Sequence, residues 1–290
     1  MANELPLVTV VITAYNRPDY LRASVTSALA QEGVDLDIVV VDDCSPTDLQ
    51  AVLTEFSGPI RYRRMEKNGG ANRARNEGVR LARGRYVAFL DDDDIWLPNK
   101  LAQQLPHLTG ASSACLCGFR LLEKELTFVQ PTETVTAEML KWGNPYCGMS
   151  GLICERQWLL DNPFDEALDN GQDWDIFVRL ALQAPLHYVA QPLFLYRRGS
   201  HESITTKVRK LRPADMRRRL AVSYKHREWL GERMFRRRIA HCILGYLGTR
   251  DQPWRLVLMA LREGGPRATA TVLGEKLKRF MQRGGRVSTH

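Results

Sequence analysis

Three apolar runs constrain this chain more than any other feature. They are Leu7–Thr13 (LVTVVIT), Asp37–Val41 (DIVVV) and Tyr86–Leu90 (YVAFL). The second passes straight into Asp42-Asp43 and the third into Asp91-Asp92-Asp93-Asp94. Continuous β-branched runs of this kind suit strands buried on both faces, as in a parallel sheet covered by helices. The intervening segments carry the matching helical period. Arg17-Pro18-Asp19 opens one in which Leu21, Val25, Ala28 and Leu29 recur, and Leu49–Phe56 reads as another. Asn72–Ala82 is a third, stopped by Gly84, and Ile60–Arg64 is a short additional strand. Strands alternating with helices imply βαβ units and a mostly parallel α/β sheet. Further on, Lys100–Leu108 and Trp174–Leu182 are expected as helices, with strands at Ala114–Phe119, Gly151–Cys154 and Leu193–Tyr196.

In an open α/β sheet, ligands bind beyond the carboxyl ends of the strands. Four adjacent carboxylates at such an edge repel one another, and burial raises the cost of their charge. A hard divalent cation, Mg²⁺ or Mn²⁺, relieves that cost by taking one or two carboxylates together with substrate phosphates. The alternative is a solvated acidic loop. Asp42-Asp43 belongs on the same edge, where a carboxylate can accept from base or ribose groups; with Cys44-Ser45-Pro46 following, a turn or cap role is equally open. Asp173 stands at an expected helix start, where an aspartate can be a proton acceptor or only an N-cap. Asp175 competes for the same role. Trp174 could stack on a sugar or pack in the core.

Five segments taken in order, VVITAYNRPDYL, DIVVVDDCSPTD, NGGANRARNEG, GRYVAFLDDDDIWLPNKL and FDEALDNGQDWDIFVRL, resemble the family 2 glycosyltransferases over roughly residues 5–205. The resemblance implies a GT-A fold, a Rossmann-like mixed sheet flanked by helices. It also implies inverting transfer of a sugar from a nucleoside diphosphate donor to an acceptor hydroxyl. Thr13, Tyr15, Asn16 and Arg17 would line the nucleotide pocket, Asp43 would hold uracil, and Arg75 would reach the base or diphosphate. Asp91 and Asp93 match the family's Asp-x-Asp element. The metal set would be Asp91, Asp93 and His201, with Asp92 or Asp91 near the ribose. Asp173 matches the general base, and Gln172 stands where the family usually has glutamate. Arg197 and Arg198 could also meet the diphosphate. On this reading residues 1–110 form the nucleotide-sugar part, 111–206 the acceptor and base part of the same domain, and 207–290 a helical extension. The rivals are a non-catalytic nucleotide-sugar binder or scaffold and a metal-dependent phosphohydrolase. A nucleotidyltransferase is disfavoured, because TAYNRPDY stands where its Gly-rich basic loop would be.

Charge separates the extension from the rest. Residues 1–206 hold 19 Lys and Arg against 27 Asp and Glu, whereas 207–290 hold 22 against 6, a net of +16. Three apolar stripes run through this basic segment: Phe235, Ile239, Cys242, Ile243 and Tyr246; Trp254, Val257, Leu258 and Leu261; and Leu273, Leu277, Phe280 and Met281. Basic helices with one apolar face suit an anionic membrane surface. The alternative is that the stripes pack against the protein. Nucleic acid is not expected, since aromatic residues are not interleaved with the arginines. No window is apolar and long enough for a transmembrane helix, and MANELPLVTVVI lacks the form of a signal peptide. The six cysteines lack disulfide or CxxC spacing and are expected as thiols. These features predict a cytoplasmic protein, peripheral at the inner face of the plasma membrane; the resemblance adds a carbohydrate or lipid-linked sugar acceptor.

Overall fold

The computed structural model describes residues 7–108, 114–198, 216–245, 247 and 253–284. They form two compact units. One runs to Ala167 and resumes at Gln172; the other holds Leu168–Gly171 and the C-terminal helices.

The first unit is built on a sheet. Strands β1 (Val8–Ala14), β2 (Leu36–Asp42), β3 (Ile60–Arg64) and β4 (Tyr86–Asp91) lie in the order β3-β2-β1-β4, all parallel. Helices α1 (Pro18–Leu29), α2 (Gln50–Leu53) and α3 (Ala71–Leu81) make the crossovers. Val10, Val11, Ile12, Ile38, Val39, Val40, Val87 and Leu90 are buried to the last atom, which is why these strands read as unbroken apolar runs. Pro18 at the first turn of α1 supplies a preset φ where no amide donor is needed. Gly78 lets α3 lie directly on β1, since a Cβ there would fall 2.3 Å from Val11 Cγ1.

Beyond β4 the sheet turns mixed. The short β5 (Ile95–Trp96) and helix α4 (Lys100–Gln104) are followed by β6 (Ala114–Leu121), β7 (Thr127–Phe128), β8 (Thr134–Val135), α5 (Ala137–Leu140), β9 (Ile153–Glu155), α6 (Arg156–Asp161), α7 (Gln172–Gln183) and β10 (Leu186–Tyr196). β9 runs antiparallel between β4 and β6, while β10 pairs parallel with β6 and antiparallel with β5. The expected strand at Leu193–Tyr196 is therefore the second half of a longer one. The register of β10 shifts on both sides of Pro192, which cannot donate to the ladder.

In the second unit, α8 (Met216–Lys225), α9 (Arg227–Leu244, kinked at Gly231), α10 (Pro253–Gly264) and α11 (Pro266–Gly284) pack on one another. Phe235, Ile239 and Ile243 of α9, Leu256 and Ala260 of α10, and Val272 of α11 are buried. No helix among the described residues is long and apolar enough to cross a membrane.

Candidate active site

The carboxyl ends of β1, β2 and β4 lie side by side: Ala14 pairs with Asp42, and Thr13 sits between Val41 and Asp91. Three loops leave this edge, and polar contacts tie them together. The Tyr15 amide donates to Asp92 Oδ2 at 3.0 Å. Arg17 donates to Asp92 at 3.0 Å and Asp93 at 2.8 Å. Asn16 takes a positive φ of 56° and donates its amide to Ser45 Oγ at 2.9 Å. Asp42 is fully buried and accepts from the Ser45 amide (2.8 Å) and from Tyr62 Oη (2.6 Å), a scaffold role. Asp43 accepts the amides of Gly69 and Gly70 at 2.7 and 2.8 Å, fixing the turn into α3. Gly70 there has φ of 83°, open to glycine without strain.

The acid loop itself is held by residues with no obvious signature. Ser150 Oγ accepts the Asp91 amide (3.1 Å) and donates to Asp94 Oδ2 (2.6 Å). Ser24 donates to the carbonyls of Asp92 and Asp94 at 2.9 and 2.8 Å. Arg197 donates its backbone amide to Asp94 (3.1 Å) and its Nε to the Asp93 carbonyl (3.1 Å), with its guanidinium over the Tyr20 ring. Burial pushes the Asp92 carboxyl up to about 7 against the pull of Arg17, and holds Asp94 well above the usual carboxylate range.

Arg75 connects this edge to the second half of the unit. It is buried, donates to Asp91 Oδ1 at 2.8 Å and to Gln172 Oε1 at 3.2 Å, and its Nε is left without a partner. Asp173 follows at the start of α7. Its Oδ2 accepts Asn144 Nδ2 at 2.8 Å and its Oδ1 the Trp174 amide at 2.8 Å. Burial raises its carboxyl above the ordinary range, partly offset by those two donors and by Arg75. The Tyr196 phenol is pushed up to about 12, first by burial and then by Asp94, Asp93, Asp91 and Asp173.

The arrangement bears on several of the sequence readings. Trp174 is 2% exposed and donates Nε1 to the Leu140 carbonyl at 2.7 Å, so it packs in the core and does not stack on a sugar. Asp175 is buried and paired with Arg179, whereas Asp173 adjoins Gln172, the residue that Arg75 reaches. Arg17, expected on the nucleotide, binds the acid loop. Arg197 likewise grips that loop, and the Arg198 amide donates to Glu123. His201 lies outside the described residues. Cys115, Cys117, Cys147 and Cys154 are buried free thiols, with Cys44 and Cys242 partly exposed.

Among the described residues no three His, Cys, Asp or Glu side chains converge on one point. The acid loop nevertheless fits a partial hard-cation site. Asp91 and Asp93 keep 32% and 15% of their side chains open, beside two buried acids whose negative charge costs free energy. Mg²⁺ and Mn²⁺ accept such incomplete protein sets and complete them with phosphate oxygens and water.

Residues 9–205 match the pattern described as glycosyl transferase family 2. The chain is 36% identical over 144 residues to the Bacillus subtilis protein named putative teichuronic acid biosynthesis glycosyltransferase TuaG, covering 47% of this chain and 57% of TuaG. It spans no more than 57% of the length of the first curated relatives it matches. Among solved structures it resembles residues 1–349 of S. aureus TarS in complex with UDP-GlcNAc, with a TM-score of 0.69 and 15% identity, covering 93% of this chain and 91% of that one. It also resembles the mannosyltransferase PcManGT from Pyrobaculum calidifontis in complex with GDP-Man and Mn²⁺, with a TM-score of 0.60, 15% identity, and coverage of 96% and 81%. These likenesses give the sheet its GT-A class, and the matched segment, over more than half the chain, makes this protein a member of glycosyl transferase family 2.

Proposed function

We propose that this chain transfers a sugar from a nucleoside diphosphate donor, a UDP-sugar, to an acceptor hydroxyl with inversion, in the synthesis of a cell-surface polysaccharide or glycolipid. The observation that carries this reading is the Arg75 bridge from Asp91 to Gln172, which ties the acid loop to the neighbour of Asp173. Proton abstraction from an alcohol needs a carboxylate within hydrogen-bond reach, and a base is stronger when its pKa is raised. Asp173 suits the second need, since burial raises it, and two donors fix the orientation of its oxygens. With Asp175 engaged by Arg179, a single carboxylate serves the acceptor side, as one-step displacement requires.

On the donor side, Thr13, Tyr15 and Asn16 border the nucleotide, and Asp43 sets the Asn68-Gly69-Gly70 turn beside it. Asp91 and Asp93, with His201 as a further ligand, would hold Mg²⁺ or Mn²⁺, which neutralises charge on the departing diphosphate. Arg75 holds Asp91 in place for that role, and Arg17 holds Asp92 and Asp93. TarS was solved with UDP-GlcNAc and TuaG is named for teichuronic acid synthesis, which supports the donor class and the pathway class. A lipid-linked acceptor at the cytoplasmic leaflet suits the basic C-terminal segment.

A panel of UDP-, GDP- and dTDP-sugars with Mn²⁺, read as nucleoside diphosphate release, tests the reading. One UDP-sugar is expected to turn over, and Asp173→Asn is expected to stop turnover while still binding UDP. Release of inorganic phosphate from simple phosphoesters, with no sugar-nucleotide turnover, would replace this reading with a phosphohydrolase.

A further inference from the structure

The three apolar stripes of the basic segment meet different fates. The α9 stripe is spent inside its own unit, where Phe235, Ile239 and Ile243 are buried. In α10 the packing face is a different set: Leu256, Ala260 and Gly264 are buried, so Trp254, Leu258 and Leu261 are left outside. Trp254 and Leu258 are each 57% exposed. Their spacing of i, i+4 and i+7 puts the three on one helix face. Leu277 and Met281 of α11, again i and i+4, are 59% and 60% exposed. Single exposed apolar residues need no explanation, but ordered rows of them mark an interaction surface. Basic side chains flank the rows. Arg255 and Arg262 are exposed on α10 and Lys278 on α11, and the Arg255 guanidinium stands 5.3 Å from the Trp254 ring centroid. The segment they belong to carries 22 basic against 6 acidic residues.

We propose that the Trp254–Leu258–Leu261 face of α10, with Leu277 and Met281 of α11, seats this protein on an anionic lipid surface. Apolar rows enter the boundary between headgroup and acyl chain while arginine and lysine stems reach back to lipid phosphates. A protein partner would need matching acidic charge and an apolar groove; an anionic bilayer supplies both features over any length of helix.

Co-sedimentation of the full chain with phosphatidylcholine vesicles, with and without phosphatidylglycerol, tests this directly. Binding is expected only with phosphatidylglycerol. The triple variant Trp254→Gln, Leu258→Gln, Leu261→Gln is expected to bind about tenfold or more weakly. Arg255→Gln with Arg262→Gln and Lys278→Gln is expected to lose at least as much and to remove most of the salt dependence. Circular dichroism and melting should match the wild type, because the substituted side chains are exposed. Hydrogen exchange on the unsubstituted protein reads the same face independently: residues 253–264 should gain protection on adding anionic vesicles. Failure of the wild type to bind them, an unaffected triple variant, or unchanged exchange would overturn the proposal. So would a dimer in ultracentrifugation that the triple variant dissolves, which would give the face to a second copy of this chain. None of these readouts involves the donor, so their failure and failure of the active-site reading are separable.

Discussion

Asp173 is held by Asn144 and the Trp174 amide, and both donors favour its charged form, while burial opposes it. With burial the larger effect, the acid limb of kcat/KM should lie above the ordinary carboxylate range near 4, activity falling as pH drops through it. Asn144→Ala removes a donor to the carboxylate, so that limb should move to higher pH, with kcat reduced and UDP affinity unchanged. A pH–rate profile of the two proteins checks this; an unmoved limb would leave Asn144 a purely structural residue. Asp173→Asn should lower kcat by about a hundred- to ten-thousand-fold, as loss of a general base does, without lowering the melting temperature. Asp173, Arg75 and the four acids could be picked out of the sequence because their residue types and order are distinctive. Asn144, Ser24 and Ser150 could not. An asparagine and two serines carry no pattern, and only the fold brings them from 29, 68 and 59 positions away to the groups they hold.

The acid loop and α3 are the elements that make the site. In the loop, Asp92 and Asp94 are raised on folding, so the folded state holds more protons than the unfolded chain above about pH 4. Stability of the metal-free protein should therefore fall as pH rises from about 4 to about 7, where Asp92 titrates, and Mn²⁺ should lessen that fall. Melting temperatures across this range, with and without the ion, give the slope; Asp94→Asn should flatten it. In α3, Gly78→Ala would press a methyl onto Val11 of the central strand, a stiff β-branched side chain. The expected cost is about 1–3 kcal/mol in urea unfolding, despite alanine's better helix propensity. The parallel strands and their helices are legible in sequence because burial on both faces leaves unbroken apolar runs. The two-residue strands β5, β7 and β8 are not, since so short a pairing is set by its neighbours. The first half of β10 is hidden by Gln191-Pro192 in mid-strand.

At the scale of the molecule, the chain divides an acidic, sheet-bearing segment from a basic one, and that division is plain in the charge count. Which apolar stripe would be buried is not plain. Periodicity marks Trp254, Leu258 and Leu261 as a face, but the packing on α10 is made by Leu256 together with the small Ala260 and Gly264. Small residues allow close helix approach and score weakly in any apolar pattern. The proposed site joins acids at one sheet edge, a metal and a nucleoside diphosphate. Thermal shift with UDP, Mn²⁺ and both, on the wild type and on Asp91→Asn with Asp93→Asn, measures that coupling directly. UDP is expected to stabilise the wild type only when Mn²⁺ is present, by about 2.7 kcal/mol at a hundredfold excess over Kd, and the double variant is expected to lose this response. Equal stabilisation by UDP without the metal, or an unchanged response in the double variant, would contradict the proposed site.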